Sequence, residues 1–423
     1  MSFRKNILVS YSSQIISVIC SFLASILATR MLGDKGQGEY ALYINFILLS
    51  TLVIGIGLPA AIVHFIASGK LAKNKLFSFI LMVLGIGACT ISSFMFLFHT
   101  YTGMRILLPD LVLSSSIWMI FLILHLVFIT TNAFLSSILQ AENKFHHAGY
   151  ITILGTTTIL LLYALKYYFN VLNDIQILAW LIISMVFSAS LQIIFYLIEI
   201  FKIDKNYFSF TSINVSTFKP LLQFAFLAFT TNLIQFFSLR MDIWFVHYYH
   251  GKQLTGVYAL AVSLSQLIWL LPSALQAVLF TFISTHSDQY LNLQKTIQST
   301  KQIALYAISA GIGGYLLSNY LVVPLFGEAF QASIQCIAIL LFGIVPFCLS
   351  MPISGYFVAT GKVRINLYSA IIGFIICLVA DILLIPQYGI QGAAYASVIS
   401  YLSTVVFLLA IFYKDNKSII SKF

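Results

Sequence analysis

The sequence has little charge. Asp, Glu, Lys and Arg make up 8% of its 423 residues, whereas 60% are hydrophobic, and the mean hydropathy is +0.99. Soluble domains usually carry about 25% charged residues, so this composition excludes a soluble protein and indicates a polytopic membrane protein. Many apolar runs reach the roughly 20 residues that an α-helix needs to cross a bilayer. They lack the roughly ten-residue alternating segments of a β-barrel, so an all-α membrane fold is predicted.

Cysteine is also scarce. The five cysteines lie inside apolar runs without CxxC spacing, which excludes a zinc site or a disulfide framework of the usual kind. The sequence also has no Gly-x-Ser-x-Gly and no His-x-x-Glu-His, two patterns that mark hydrolytic sites. We therefore expect neither an enzyme nor a bound metal or cofactor.

The formal net charge is +10, but the basic residues fall mostly in the breaks between apolar runs. There they meet anionic lipid headgroups, so we expect membrane lipids and no nucleic acid among the partners.

The apolar runs predict twelve transmembrane helices. They cover approximately residues 8–29, 40–66, 77–98, 113–139, 149–169, 176–199, 220–247, 254–283, 303–323, 333–359, 364–385 and 390–413. An even number places both termini on one side, and most Lys and Arg fall on that side, including Lys70, Lys73 and Lys75. The positive-inside rule then predicts cytoplasmic termini.

An internal repeat indicates how the spans are grouped. "GDKGQGEYAL" (33–42) follows the first span, and "GKQLTGVYAL" (251–260) follows the seventh. Each half has six spans, so these are parallel repeats, an arrangement common in transporters. We predict an N-terminal six-helix lobe (1–200), a cytoplasmic linker (201–218) with a second long connection at 284–302, and a C-terminal six-helix lobe (219–423).

The glycine-rich repeat itself is not a nucleotide-binding loop. A P-loop ends in Gly-Lys followed by Ser or Thr after a strand, whereas Gly38 precedes Glu39 in an all-helical context. We expect a tight turn on the outer side, where glycine permits a positive φ and Tyr40 anchors the next helix at the interface.

Two charged residues, Arg240 and Asp242, lie inside the seventh run. Insertion scales give about 2.5 to 3.5 kcal/mol for a charge at mid-membrane, so the pair indicates a cavity or a partner. Alternatively, Arg240 snorkels to the outer surface. A guanidinium in a water-filled cavity suits phosphate oxygens. Residues two apart point about 200° apart on a helix, so the pair does not face one ligand.

Other polar residues are candidates with open alternatives. Asp381 in the eleventh span is a counter-ion, a proton or sodium site, or a helix-end hydrogen-bond acceptor. Arg30 is an interface anchor or a second cation for substrate. Amides can bind sugar hydroxyls or join helices; those in question are Asn232, Gln235 and Gln266. The histidines His64 and His125 are hydrogen-bonded within the bundle or relay protons.

Several segments resemble the polysaccharide-repeat flippases, the O-antigen and capsule transporters of the multidrug/oligosaccharidyl-lipid/polysaccharide superfamily, which also contains the MATE exporters. These segments are "LATRMLGDKGQGEYAL" (27–42), "GKQLTGVYALA" (251–261), "LFGEAFQAS" (325–333), "FVATGKVRIN" (357–366) and "LIPQYGIQGAAYASVIS" (384–400). The last is the most specific, and the resemblance covers essentially the whole chain.

The resemblance implies two six-helix lobes around a central cavity in a bacterial inner-membrane protein. It also implies transfer of an undecaprenyl-diphosphate-linked oligosaccharide from the cytoplasmic to the periplasmic leaflet, with other polysaccharide-assembly proteins as partners. Arg240 and Arg30 would bind the diphosphate, and Asp242 and Asp381 would couple transport to H+ or Na+.

Two other functions are alternatives to a flippase. An ion-coupled multidrug exporter of the same fold would favour acidic over basic cavity residues. A membrane polymerase or acyltransferase would show a large outer loop or a His and Arg constellation, and this sequence has neither.

Overall fold

The computed structural model describes residues 3–67, 76–98, 103–169, 176–208, 215–286 and 288–420. Within these ranges the regular secondary structure is helical and no strand is present. The helices are α1 (Phe3–Gly55), α2 (Leu58–Ala67), α3 (Leu76–Phe98), α4 (Met104–Leu107), α5 (Asp110–Ser114), α6 (Ser116–Ala141), α7 (Phe145–Phe169), α8 (Ile177–Ile203), α9 (Val215–Gln266), α10 (Leu270–Thr285), α11 (Gln289–Phe326), α12 (Ser333–Ala359) and α13 (Val363–Ile420). The predicted lysine cluster, Lys70, Lys73 and Lys75, lies outside the described residues, as does the His64 side chain.

Nine helical segments in the described ranges are long and apolar enough to cross a membrane. The protein is therefore a multi-pass membrane protein with an all-α fold, as predicted. Three of these segments are more than twice the roughly 20 residues that one crossing requires: Ser12–Gly55, Phe218–Ser284 and Val363–Lys417. Each contains one internal glycine with non-helical dihedral angles, namely Gly33, Gly251 and Gly389.

These three glycines lie between apolar runs that the sequence separates. Their φ angles are +65°, +76° and +58°, and ψ is near 180° at Gly33 and Gly251, a combination that only glycine adopts readily. The positive φ predicted for the first copy of the repeat is confirmed at Gly33, and Gly251 in the second copy has the same conformation. At each of these glycines the chain passes from one helix to the next across a kink. In the second copy the chain folds back there, because Arg240 Nη2 and Gln266 Oε1 lie 2.9 Å apart, whereas a continuous helix would separate the two residues by roughly 39 Å.

The chain divides into two compact units: residues 1–32 with 42–233, and residues 33–41 with 234–423. Segment 33–41 therefore belongs to the second unit, although the chain on both sides of it belongs to the first. The predicted lobe boundaries at 200 and 219 stay a prediction.

In the first unit, α6 packs against α2 and α8, and α7 packs against α8. Leu122, Phe134 and Leu181 are fully buried in this core. Its helices are joined by polar contacts as well; for example, Asn132 Nδ2 donates to the Ala189 carbonyl at 3.0 Å, and Ser188 Oγ donates to the Gly155 carbonyl at 2.9 Å. Such bonds hold helices together where lipid provides no hydrophobic drive between them.

The short 3-10 helix Lys205–Phe208 follows α8 within the predicted linker. The Tyr207 hydroxyl donates to the carboxylate of Glu142 at the end of α6. Burial raises the pKa of Tyr207, and the neighbouring Glu142 carboxylate raises it further, so this phenol stays protonated and keeps its donor role. The contact fixes the start of the linker against the first unit.

In the second unit, α12 packs against α10, α11 and α13. The second long connection, 284–302, is mostly helical because α11 begins at Gln289. Asp288 caps this helix by accepting from the Tyr290 and Leu291 amides at 2.9 and 3.3 Å. The extension buries Leu293 in an apolar cluster with members of α10, α12 and α13, which explains why a polar-looking connection is ordered as helix.

Candidate functional site

Two buried carboxylates mark the candidate site. Asp242 on α9 is 2% exposed and Asp381 on α13 is 0% exposed. Both belong to the second unit, and within the described residues no other Asp or Glu is buried. A buried ionised carboxylate requires hydrogen bonds or a counter-charge, so the surroundings of each one matter.

Asp242 is well supplied with hydrogen-bond donors. The Tyr258 hydroxyl donates to Oδ2 at 2.5 Å, and Ser397 Oγ on α13 donates to the same oxygen at 3.1 Å. The Ile243 amide donates to Oδ1 at 2.8 Å. Arg240 also interacts with this carboxylate electrostatically. Asp242 therefore joins the two halves of α9, on either side of Gly251, to the second half of α13.

Asp381 has far fewer partners. The Cys377 thiol, one turn earlier on α13, points at Oδ2 from 3.6 Å, and a thiol is a weak donor. Oδ1 has no hydrogen-bond partner in the part of the chain that the structure describes. The Asp242 and Asp381 carboxylates also interact electrostatically. The two buried carboxylates repel each other, and Asp381 has few hydrogen-bond donors. A bound proton or cation would stabilise this arrangement.

Arg240 is held by Gln266, which is the last residue of α9 and lies beyond the kink at Gly251. Its Nη2 donates to Gln266 Oε1 at 2.9 Å, and the side chain is half-buried. A guanidinium has five N–H donors in a planar fork, of which this bond uses one. Arg240 donates to Gln266, whereas Asp242 accepts from other residues, in keeping with the angle of about 200° between helix positions two residues apart.

The remaining predicted site residues are not brought into this cluster. Asn232 and Gln235 are exposed on α9, and within the described ranges neither amide bonds to Arg240 or Asp242. Arg30 lies in the first unit, where its Nη1 donates to the Tyr167 hydroxyl at 3.4 Å. The structure thus groups Arg240, Asp242, Gln266 and Asp381, and leaves the roles of all the predicted site residues as predictions.

Sequence reasoning missed three members of the cluster, Tyr258, Cys377 and Ser397. One signal pointed to the tyrosine, because Tyr258 is part of the repeat; Ser397 likewise lies in the 384–400 segment that carries the resemblance. Lys166, only 5% exposed inside α7, was also missed, because its position near the end of an apolar run resembled an ordinary interface lysine.

The first unit has a buried polar pair of another kind. The Tyr43 hydroxyl and His125 Nδ1 lie 2.8 Å apart, and their rings stack with centroids 5.7 Å apart. Both side chains are buried. His125 is therefore hydrogen-bonded within the bundle, as one of the two predicted interpretations had it.

The family model described as "Polysaccharide biosynthesis protein" matches residues 3–286. The chain belongs to this family. No curated protein matches the sequence at a significant level.

Solved structures of the same fold are transporters and a flippase. An inward-facing multidrug resistance MATE family transporter of the MOP superfamily has a TM-score of 0.74 and 15% identity, covering 98% of this chain and 99% of its own. The lipid II flippase MurJ, in an inward closed conformation, has a TM-score of 0.72 and 18% identity, covering 96% and 87%. A MOP superfamily transporter from Pyrococcus furiosus has a TM-score of 0.67 and 14% identity, covering 96% and 94%. This chain therefore has the fold of these transporters and of the flippase.

Proposed function

We propose that this protein is a flippase for undecaprenyl-diphosphate-linked oligosaccharide repeat units of O-antigen or capsule. It moves them from the cytoplasmic to the periplasmic leaflet of the bacterial inner membrane by alternating access. Twelve spans in two lobes are part of the proposal, with the kinks at Gly33, Gly251 and Gly389 each separating two spans.

One combination carries the proposal: a polysaccharide biosynthesis family on the fold of transporters and of a lipid II flippase. A polysaccharide assembly pathway that builds on a lipid carrier needs its intermediate moved across the membrane. A protein of that family with a transporter fold suits this step better than glycosyl transfer, which requires a site for a soluble sugar donor.

The polar cluster supplies the chemistry that this step needs. Arg240, oriented by Gln266, offers a bidentate donor for diphosphate oxygens, with Arg30 as the second proposed cation and the amides of Asn232, Gln235 and Gln266 for sugar hydroxyls. Asp381, whose Oδ1 lacks a described partner, together with Asp242 would bind the coupling H+ or Na+. Binding would neutralise the buried charge and so favour one conformation over the other.

An ion-coupled multidrug exporter is the second candidate, and the MATE neighbours favour it. The two buried acids would serve either function. Arg240 separates the candidates, because a half-buried guanidinium would repel the amphipathic cations that such exporters carry.

Deletion of the gene tests the two candidates against each other. We expect lipid-linked repeat units to accumulate with their sugars facing the cytoplasm, because the units are built there and cannot cross. Radiolabelled lipid extracts and surface polysaccharide gels measure this. Normal surface polysaccharide in a strain without another flippase would refute the flippase, and raised drug sensitivity would favour the exporter.

The Arg240 assignment has its own test. Arg240→Ala should reduce export about tenfold or more, because a charged hydrogen bond of about 1.5 to 3 kcal/mol is lost. Arg240→Lys keeps the charge and should retain intermediate export. Equal export by both variants and the wild type would show that Arg240 only snorkels.

A further inference from the structure

The two copies of the repeat contact each other through their second glycines. A methyl group built on Gly38 would overlap the carbonyl of Lys252, and one built on Gly256 would overlap the carbonyl of Asp34. Asp34 and Lys252 are themselves equivalent positions of the two copies. The contact is therefore reciprocal, as in an isologous interface, and backbone meets backbone at both glycines.

Polar side chains surround this crossing. Lys252 Nζ pairs with Glu39 at 2.5 Å, with both side chains less than one-fifth exposed, and Gln253 Nε2 donates to Asp34 Oδ2 at 2.6 Å. We call this group, formed by segment 33–41 and residues 251–256, the clasp. All of it lies within the second unit, although segment 33–41 continues directly into residues of the first.

We propose that the clasp is a latch at the outer end of the transport pathway, closed in this structure and opened when segment 33–41 separates from residues 251–256. The inference rests on the proposed alternating access, which requires the outer end to open once per cycle. The residues are suited to repeated opening, because the backbone contacts at the two glycines, the Glu39–Lys252 ion pair and the Gln253–Asp34 hydrogen bond can part without repacking an apolar core.

The chemistry of the clasp predicts two ways to open it. A methyl group at either glycine would push backbone atoms apart, and backbone cannot move aside as a flexible side chain does. Reversing one charge of the Glu39–Lys252 pair would replace attraction with repulsion between partly buried groups. Reversing both charges would restore the attraction.

The test measures exposure of a side chain inside the clasp. Thr255 is 0% exposed, so Thr255→Cys should react slowly with a membrane-impermeant maleimide in full-length protein in nanodiscs, where both faces are accessible. Adding Gly38→Ala or Gly256→Ala should raise the reaction rate about tenfold, the shift that about 1.4 kcal/mol produces. The chain without the introduced cysteine gives the background from the five native cysteines.

Gly313→Ala is the matched control, because a methyl group there meets no atom within 4 Å, and it should leave the rate unchanged. Glu39→Lys should raise the rate, and Glu39→Lys with Lys252→Glu should return it toward the wild-type value. Fast labelling of Thr255→Cys alone, or equal rates in Gly38→Ala, Gly256→Ala and Gly313→Ala, would overturn the latch. Labelling is independent of substrate, so normal polysaccharide in the deletion strain would refute the flippase and leave the latch standing.

Discussion

The two units differ in the hydrogen-bond partners of their buried tyrosines. In the first, the Tyr43 hydroxyl and His125 Nδ1 are within hydrogen-bond distance of each other. In the second, Tyr258 bonds to the carboxylate of Asp242, and a second buried carboxylate, Asp381, is left with an oxygen that has no described partner. Both tyrosines are fully buried, so burial alone does not distinguish them.

What differs is the capacity to take up an ion. A phenol and an imidazole can form a hydrogen bond with each other, whereas two neighbouring carboxylates repel each other until a proton or cation is bound. For the proposed ion coupling we therefore predict a site in the second unit, and for the Tyr43–His125 pair we predict a structural role.

The largest expected effect concerns the buried acids. Asp381→Asn and Asp242→Asn should each reduce export about tenfold or more, since loss of about 1.4 kcal/mol of ion binding already changes occupancy tenfold. His125→Gln should change export by roughly twofold or less, because an amide still bonds with Tyr43. Surface polysaccharide per cell, corrected for protein abundance, measures both. An equal loss in the His125 variant would end the assignment of coupling to the second unit alone.

A smaller effect is expected from the two tyrosines. Tyr258→Phe removes a bond to a carboxylate and should cost about 1.5 to 3 kcal/mol, whereas Tyr43→Phe removes a neutral bond and should cost about 0.5 to 1.5 kcal/mol. Thermal unfolding of purified protein in one detergent gives the ranking. If the two variants lose the same stability, the carboxylate contact has no special strength.

The smallest difference is expected between the two kinked glycines. Gly33→Ala and Gly251→Ala should each cost about 1 to 3 kcal/mol of backbone strain, and equally, because neither added methyl meets an atom within 4 Å. Gly313→Ala, in a regular helix, should instead gain about 0.8 to 1 kcal/mol. The same unfolding assay applies, and a cost in only one copy would show that the two kinks are not equivalent.

The sequence predicted most of the helical architecture, because runs of about 20 apolar residues permit few other structures. It also placed Asp242 and Asp381 inside spans and predicted a positive φ in the first glycine-rich stretch. It did not reveal why the second glycines recur, since the contact of Gly38 with Lys252 joins segments far apart in the chain. Tyr258 and Ser397 were missed because the sequence pattern of a polar side chain in an apolar run is the same whether the side chain joins two helices or donates to a carboxylate.

Segment 33–41 determines which contacts are lost when the chain is produced as two separate halves. If the gene were cut within residues 201–218 and the halves produced as two polypeptides, the C-terminal piece would lack Asp34, Gly38 and Glu39, the partners of its own residues 251–256. Its Lys252 would then lose its carboxylate. Recovery of function on co-expression would depend on the N-terminal piece supplying that short segment, so the two halves of this repeated sequence are not interchangeable modules.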